Sequence, residues 1–540
     1  MKLFERPTSS GRIGFAAGSN RVCGWVQIAR WVAVCISATC IVGWVGSIIL
    51  GQSVPLIRNA FADVDPDTLL IVDDANNSIS GPAPFVGSFW FRGKLTSEFA
   101  VDTEFAGEPE SVFRSNQRLW LSAEAELAED LKAQVSGRLS WQTWISQETN
   151  ARYTLYPELR DSWLSWSGVP WLPISVGYQT WSFGASDFFA PTDQINPRDY
   201  RDGIGASLET TKVPVLGVNV DFLPLAPTFR LSVAWIPFFE PDRVFLFGDD
   251  FGLFGPGTSP PPSAAFSGMS ELSQRLSPVL VEALQPIFLG TDKSDESPGA
   301  STVGVKMSST LGDVDISLHY LFGWDRTPVF RVDPALTTLF AVMSPGATLT
   351  PEVIGLFTDI QSGKLNPFGL FSSSYERLHL VGADVTFPIW EFGLRLEAAY
   401  QPSKVLYTRE FTSISRPTLV GIMGIDYSWG TTFMASVELS YRRIFDFPAK
   451  TSIYLGEIDE LRLAGLFTLR LFDFDALEIQ LGAMAGLLRL EVVLLPQVAY
   501  RFTDAHRIAL GARIFDGLNN TLAALYDDND ELFVAYEWSF

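Results

Sequence analysis

The residues whose types and spacing could act on a solute are concentrated between Ile174 and Asp202. Carboxylates, guanidinium groups and an amide follow one another there, at Asp187, Asp193, Asn196, Arg198, Asp199, Arg201 and Asp202. If such charges line a narrow passage they select ions by sign, and the excess of carboxylates would favour cations slightly. Asn-Pro and Asp residues also form ordinary turns, so a purely structural loop is the alternative.

Groups for covalent or metal chemistry are few. The chain has three histidines (His319, His379 and His506) and three cysteines (Cys23, Cys35 and Cys40). His319 shares a strand face with Asp315 and Ser317, an arrangement that a barrel hydrolase could use. The cysteines all precede residue 62, so the rest of the chain has no disulfide and no thiolate nucleophile or ligand. Since phosphate, zinc and calcium motifs are also absent, the sequence predicts no catalytic residue, no metal site and no cofactor.

Residues 1–62 are predicted to be a secretory signal peptide. Basic residues precede an apolar run from Trp31 to Gly51, and Ala60-Phe61-Ala62 fits a cleavage site with the cut after Ala62. An uncleaved membrane anchor is the alternative. Residues 63–86 have no clear pattern and are predicted to be a short periplasmic segment.

From residue 87 onward, composition and periodicity favour a membrane β-barrel. The chain has 61 acidic and 39 basic side chains, and its formal net charge of −22 argues against a nucleic-acid partner. The dominant pattern has a period of two: from Arg118 to Leu127, apolar residues fall on one face and charged or polar residues on the other. Such segments are about 10 residues long or longer, as tilted membrane strands must be, and Trp and Tyr recur near their ends.

The links between these segments alternate between short and long. Glu129-Asp130 and Gly312-Asp313 are short links, whereas residues 239–300 and 325–376 are the two longest. The alternation predicts an all-β fold, a transmembrane antiparallel β-barrel of about 14–18 strands over residues 87–540 with long extracellular loops. The strands between residues 202 and 239 are the least regular, because prolines interrupt them.

The last strand predicts the location of the protein. Counted back from Phe540, apolar side chains recur at every second residue to Leu532, which resembles the C-terminal signal read by the outer-membrane barrel assembly machinery. A strand with one apolar face and a free edge can add to another sheet edge. We therefore expect a bacterial outer-membrane protein whose partners are the lipid bilayer, lipopolysaccharide and the assembly machinery. Whether it is a homo-oligomer stays open.

The phase of the last strand also predicts which charges of the C-terminal half face the lumen. These are Arg395, Glu397, Glu438, Arg442, Arg462, Arg470, Arg507 and Arg513, with Glu537 on the last strand itself. Most of them are arginines in a chain that is acidic as a whole. We therefore expect a basic stripe on this wall, opposite more acidic surfaces.

The segment ISVGYQTWSFG at 174–184, followed by Asp193 and Asn196-Pro197-Arg198-Asp199, carries a resemblance to a known family. It resembles poorly characterised, porin-like outer-membrane proteins of Gram-negative bacteria, in which a G-x-Q…W-G strand leads to a D…NPxD loop. Here Phe183 precedes Gly184 where that pattern has Trp. The resemblance implies a barrel that passes or exports something, but it implies no particular substrate. Porins fold their third long loop into the lumen, and this is the third long loop of the chain.

The two longest loops are unexpectedly apolar. Phe251-Gly252-Leu253-Phe254 lies in the first and Val353–Phe357 in the second, and residues 272–284 could form an amphipathic helix. Such loops suit entry of a hydrophobic or lipid-like solute, although a lumen plug, a partner surface or mutual packing would also explain them. The sequence therefore predicts a transport channel for small molecules. A docking barrel without channel activity and a barrel hydrolase are the alternatives.

Overall fold

Alternating apolar and polar residues form long antiparallel strands throughout the part of the chain that the computed structural model describes. That part comprises residues 88–103, 111–146, 151–201, 211–225, 228–244, 251–252, 300–332, 350–362, 364, 371–409, 412–472 and 475–540. The predicted signal peptide, the predicted periplasmic segment and the predicted helix at 272–284 lie outside the described residues.

The strands are β1 (Phe89–Asp102), β2 (Ser111–Ala128), β3 (Leu131–Ser146), β4 (Ala151–Leu159), β5 (Ser162–Trp166), β6 (Ile174–Gln179), β7 (Val215–Leu225), β8 (Phe229–Ile236), β9 (Thr302–Leu311), β10 (Val314–Trp324), β11 (Val329–Val332), β12 (Phe371–Ser374), β13 (Arg377–Ile389), β14 (Phe392–Tyr407), β15 (Ser413–Trp429), β16 (Phe433–Ile444), β17 (Asp459–Leu471), β18 (Leu477–Gly486), β19 (Glu491–Arg501), β20 (His506–Gly517) and β21 (Glu531–Ser539). The helices with described bounds are α1 (Pro351–Gln361) and α2 (Leu522–Leu525). Within the described ranges, neither helix has the length and hydropathy to cross a membrane.

Backbone pairing closes the strands into one barrel. Neighbouring strands are antiparallel, and β21 returns to β1, with Ser539 opposite Lys94 and Glu531 opposite Asp102. The two short strands β4 and β5 pair with successive parts of β3 and act as one barrel strand, while β11 and β12 form a separate two-stranded sheet. The described chain thus forms a closed barrel of 18 antiparallel strands. This confirms the predicted fold class, at the upper end of the predicted strand number.

Side chains alternate between an exposed apolar face and a buried polar face. On β10, Leu318 and Tyr320 are 48% and 40% exposed, whereas His319 between them is 2% exposed. The same alternation follows the other long strands, with large apolar side chains on the exposed face. Because successive residues of a strand point to opposite sides of a sheet, the exposed face is the outside of the barrel and the polar face is its inside.

The terminal residue takes part in the closure. The Phe540 amide donates to the Gly93 carbonyl at 2.9 Å, and the Gly93 amide donates to the Phe540 carbonyl at 2.7 Å. The Phe540 ring lies over Gly93, where an added Cβ would be only 2.2 Å from it, so a glycine is needed at this close approach. The ring also packs 4.8 Å from that of Trp538, centroid to centroid.

The alternation of short and long links separates the two ends of the barrel. Several short links fall where the sequence predicts them, as at Glu129-Asp130 and Gly312-Asp313. The region between residues 202 and 239, which the sequence marks as the least regular, contains the two strands β7 and β8. β7 accommodates Pro224 through a shift of its register with β8 between Phe222 and Leu225. In the second long loop, the apolar segment 353–357 lies within helix α1.

Candidate functional site

Residues 180–201 and 211–214, between β6 and β7, fold inside the barrel, and we call them the inner loop. Asn196 joins its two ends. The amide oxygen of Asn196 accepts from the Trp181 amide at 2.8 Å, and its Nδ2 donates to the carbonyls of Gln179 and Val213 at 3.1 and 2.9 Å. Asn196 is 2% exposed, so it acts as a buried clamp at the base of the loop. Residues 202–210, between the two parts of the loop, lie outside the described residues.

Apolar side chains hold the first part of the inner loop against the wall. Trp181, Phe183 and Ile195 are buried in one cluster with wall residues that include Leu321 and Leu380. The sequence signal of this packing is a run of aromatic residues in a segment that otherwise looks like a polar turn. The Phe183 ring also lies 5.7 Å from that of His319.

Two carboxylates of the opposite wall bind the backbone of the inner loop. Glu397 on β14 accepts from the amides of Ala185 and Ser186 at 2.7 and 2.8 Å through one oxygen. Its other oxygen accepts from the amide and the hydroxyl of Thr192 at 3.0 and 2.7 Å. Glu397 is 4% exposed, and four donors saturate its carboxylate.

Glu438 on β16 is fully buried and binds the next residues of the loop. It accepts from the Asp187 amide at 2.6 Å, the Ser186 hydroxyl at 2.7 Å and the Phe188 amide at 3.1 Å. Bonds of this kind to a buried carboxylate are charge-assisted and among the stronger ones in proteins. They fix the chain between Ala185 and Thr192 on the inner wall.

Arg395 on β14 completes this contact. Its guanidinium donates to the Ala185 carbonyl at 2.8 Å, forms an ion pair with Asp187, and lies 2.9 Å from Asp426 and 3.4 Å from Glu438. The positive charge offsets the carboxylates gathered here. Sequence analysis places Arg395, Glu397 and Glu438 in the lumen but assigns them to no partner; the structure shows that they hold the inner loop.

The inner loop follows the inside of the barrel from β7 to β16. Its side chains contact Gly217 on β7, Gly304 on β9 and Gly382 on β13 before it reaches Glu397 and Glu438. At Gly304 an added Cβ would lie 2.5 Å from Ile195 and 3.0 Å from Phe183. The absence of a side chain at Gly304 therefore makes room for these two side chains of the loop. The loop therefore lines a large sector of the lumen and narrows it.

Each predicted charge at the base of the loop that belongs to a described residue is paired. Asp193 lies 2.6 Å from Lys212 and 3.7 Å from Arg198, and Asp199 lies 2.7 Å from Arg201. Burial opposes the charge of Arg201, yet its hydrogen bonds to Asp199 hold its pKa above the ordinary value. Because each of these carboxylates has a cationic neighbour, the base of the loop contributes little net negative charge. Asp202 lies outside the described residues.

The predicted arginines of the C-terminal wall also have acidic partners. The pairs are Arg442–Glu460 at 3.1 Å, Arg462–Glu491 at 2.8 Å, Arg470–Glu478 at 3.1 Å, Arg507–Glu478 at 3.0 Å, Arg507–Glu537 at 3.3 Å, and Arg513 with Glu98 and Glu531 at 2.9 Å each. The wall is charge-paired, which differs from the basic stripe that the sequence predicts. Glu460 has the same period-two phase as Arg462 and Arg470 on β17, which is a sequence signal for its position on the inner face. Glu478 and Glu491 lie on the neighbouring strands β18 and β19.

The first long loop brings an aromatic side chain to this wall. The Phe251 ring lies 6.0 Å from that of Phe515 on β20 and 5.7 Å from that of Tyr526, and the Arg114 guanidinium lies 5.0 Å from its centroid. Val493 on β19 belongs to the same buried cluster. A buried apolar cluster thus packs against the inside of the C-terminal wall, with the half-buried Tyr526 at its edge.

The histidines do not form a hydrolase site in the part of the chain that the structure describes. His319 pairs through Nε2 with Asp384, and the Ser317 hydroxyl lies 3.1 Å from that of Ser308 instead of bonding to His319. His379 is on the outer face, where its Nδ1 is 3.0 Å from the Tyr320 hydroxyl. His506 likewise bonds Tyr536 at 2.8 Å.

Comparison with known proteins gives one family and several distant structures. A family model described as "Protein of unknown function (DUF1302)" matches residues 108–507. No curated protein matches the chain.

Among solved structures, OpdK of Pseudomonas aeruginosa with vanillate aligns with a TM-score of 0.43 at 7% identity, over 83% of this chain and 98% of that one. OccAB4 of Acinetobacter baumannii aligns with a TM-score of 0.42 at 10% identity, over 83% and 98%. Salmonella typhi OmpF in complex with daunomycin aligns with a TM-score of 0.37 at 10% identity, over 84% and 97%. At such distances the similarity carries no information about a solute.

Proposed function

The chain belongs to DUF1302, a family of proteins of unknown function, and from the geometry of its barrel we propose that it is a channel for passive passage of small solutes across the bacterial outer membrane. A closed ring of strands leaves no unpaired backbone edge, and the described outer face is lined with large apolar side chains. Hydrocarbon can solvate such a surface because it needs no hydrogen bonds from the lipid.

The observation that carries this proposal is the attachment of the inner loop to the inside of the barrel. The loop begins at β6 and ends at β7. Glu397 on β14 and Glu438 on β16, on the other side of the lumen, bind its backbone between Ala185 and Thr192. A loop held in this way limits the size of solutes without stopping water-filled passage. A barrel that only docks a partner has no need for such an internal narrowing.

We further propose that the solutes are uncharged or amphipathic. The charges of the inner loop and of the opposite wall are paired within the protein, so neither surface offers a strong field of one sign. Tyr526, which is half-buried, brings an aromatic ring to the inside of the barrel, where it packs on the buried rings of Phe251 and Phe515. A lumen that combines paired charges with aromatic rings suits solutes with both polar and apolar parts.

Planar-bilayer recording on the purified protein tests the channel itself. Stepwise conductance with weak ion selectivity is the expected result, since the lumen charges are compensated. Liposome swelling with neutral solutes of increasing size then measures the size limit. Folded protein that gives no conductance and no solute uptake would refute the channel and favour a docking barrel. Lipolytic activity that disappears in His319→Ala would instead support the hydrolase alternative.

A further inference from the structure

The outer face of the barrel carries a group of neighbouring polar side chains on β1, β2 and β3. They are Ser97, Ser115, Gln117 and Thr143, which we call the outer polar patch. Ser97 is opposite Gln117 in the register of β1 and β2, and Ser115 is opposite Thr143 in that of β2 and β3. These positions share the strand phase of Phe91 and Leu121, which are exposed on the outside.

The patch lies within the apolar belt. The pair formed by Ser97 and Gln117 is the ninth of the 13 register pairs between β1 and β2. The aromatic residues Phe89 and Phe91 precede it on β1, and Phe99 follows it, stacked on Phe113 with ring centroids 6.1 Å apart. Apolar aromatic side chains therefore lie on both sides of the patch along β1, so the patch is surrounded by the apolar outer surface.

Hydrocarbon gives these groups no hydrogen-bonding partner. The Ser97 hydroxyl donates to the Gln117 amide oxygen, and Gln117 Nε2 donates to the Ser115 hydroxyl at 3.0 Å. A primary amide has two N–H donors and two acceptor positions, so these bonds leave one N–H and one lone pair of Gln117 for another partner. Ser97 is only 1% exposed, so the polar groups that face lipid are those of the half-buried Ser115, Gln117 and Thr143. Their contact with lipid costs free energy that a protein partner would recover.

We propose that the outer polar patch is the contact surface for a second copy of this chain. The amide of Gln117 offers both a donor and an acceptor, so the same patch on another copy is complementary to it, as a symmetric interface requires. Trp141, which is opposite Gln117 on β3 and 53% exposed, provides apolar surface beside the amide. The proposal depends on the membrane location of the barrel and not on channel activity.

Cysteine cross-linking in proteoliposomes tests the interface, because residues 63–540 contain no cysteine. Thr143→Cys places a thiol in the patch while Gln117 stays in place. Leu318→Cys is the matched control, since Leu318 is 48% exposed on the outer face of β10, on another side of the ring. With a short thiol-reactive cross-linker, we expect at least fivefold more dimer from Thr143→Cys than from Leu318→Cys. The unsubstituted chain shows any background from the three leader cysteines.

A second variant tests whether the polar groups cause the association. In Thr143→Cys with Gln117→Leu, the amide is lost and the outer face stays apolar, so the yield of dimer should fall at least threefold. The heat-dependent mobility of the barrel on gels verifies folding of each variant. Equal dimer yields from Thr143→Cys and Leu318→Cys in folded protein would overturn the proposal, as would a cross-linked product whose mass is not twice that of the chain. A dimer yield unchanged by Gln117→Leu would also overturn it.

Discussion

Replacement of Glu438 by Gln is the most direct test of how the inner loop is held. The carboxylate accepts from the Asp187 and Phe188 amides and the Ser186 hydroxyl, and it lies 3.4 Å from Arg395. The amide of Gln keeps only one oxygen, and its NH2 group would face backbone donors. With about 1.5–3 kcal/mol for each charge-assisted bond, loss of one or two bonds weakens docking by roughly 2–5 kcal/mol.

Such a change releases the loop but leaves the barrel intact. Each 1.4 kcal/mol is a factor of about ten in an equilibrium, so even 2 kcal/mol raises the detached fraction roughly 30-fold. The strand ladders of the barrel do not use the Glu438 side chain. In planar bilayers we therefore expect a higher mean conductance and frequent transitions between levels for Glu438→Gln. Glu478→Gln is the control, because Glu478 pairs with Arg470 and Arg507 on the C-terminal wall.

The reasoning is refuted if folded Glu438→Gln has the same conductance as the unsubstituted protein and as the control Glu478→Gln. Folding is checked for each variant by heat-dependent mobility on gels. If Glu438→Gln does not fold, Ser186→Ala provides the test, since it removes the hydroxyl that donates to Glu438 at 2.7 Å and accepts from the Phe189 and Ala190 amides at 3.2 and 2.9 Å. Each lost hydrogen bond weakens the docking of the loop by about 0.5–1.5 kcal/mol. We therefore expect the conductance of Ser186→Ala to rise as in Glu438→Gln, but by less.

Three further changes address the charge, the backbone and the closure of the barrel. Arg395→Met leaves Asp187 without its cationic partner, so the reversal potential in a salt gradient should shift toward cation selectivity. Gly184→Ala should enlarge the size limit in liposome swelling, because Gly184 has a φ of 86° and an added Cβ would lie 2.2 Å from Thr192 Oγ1. Phe540→Ala removes a half-exposed ring, which at half the cost of a buried Phe is roughly 1.5–2.5 kcal/mol, and should lower the folded fraction measured by heat-dependent mobility on gels.

The barrel could be predicted because the sequence signals of its strands and links are local. A period of two over ten or more residues decides the strand and its two faces, and the length of each link decides which end it occupies. Two details were not predictable in this way. β4 and β5 are interrupted at Arg160 and Asp161 although they complete one barrel strand, and the link 487–490 is short but lies at the end of the long loops.

The site could be predicted only in part, because its contacts are distant in the chain. Sequence analysis selects the segment that forms the inner loop and places Glu397 and Glu438 on the inside. It does not bring the two together, since the hydrogen bonds from Ala185 to Glu397 and from Ser186 to Glu438 join residues 212 and 252 positions apart. Periodicity gives the face of a side chain but not its partner. The expected basic stripe is wrong for a different reason: it leaves out Glu460, Glu478 and Glu491, which lie on the same inner face and pair with the arginines.

The way in which the loop is attached separates two properties of the proposed channel. Glu397 and Glu438 bind mainly backbone amides, so their contacts do not use the side chains of Asp187 and Phe188, and only the ion pair with Arg395 uses that of Asp187. The Asp187 side chain is 61% exposed even with Arg395 beside it. Because backbone donors do the binding, the side chains of these loop residues can change without loss of the attachment. The two wall carboxylates then determine the width of the lumen, because they fix the position of the loop. The side chains of the loop determine which solutes the proposed channel prefers.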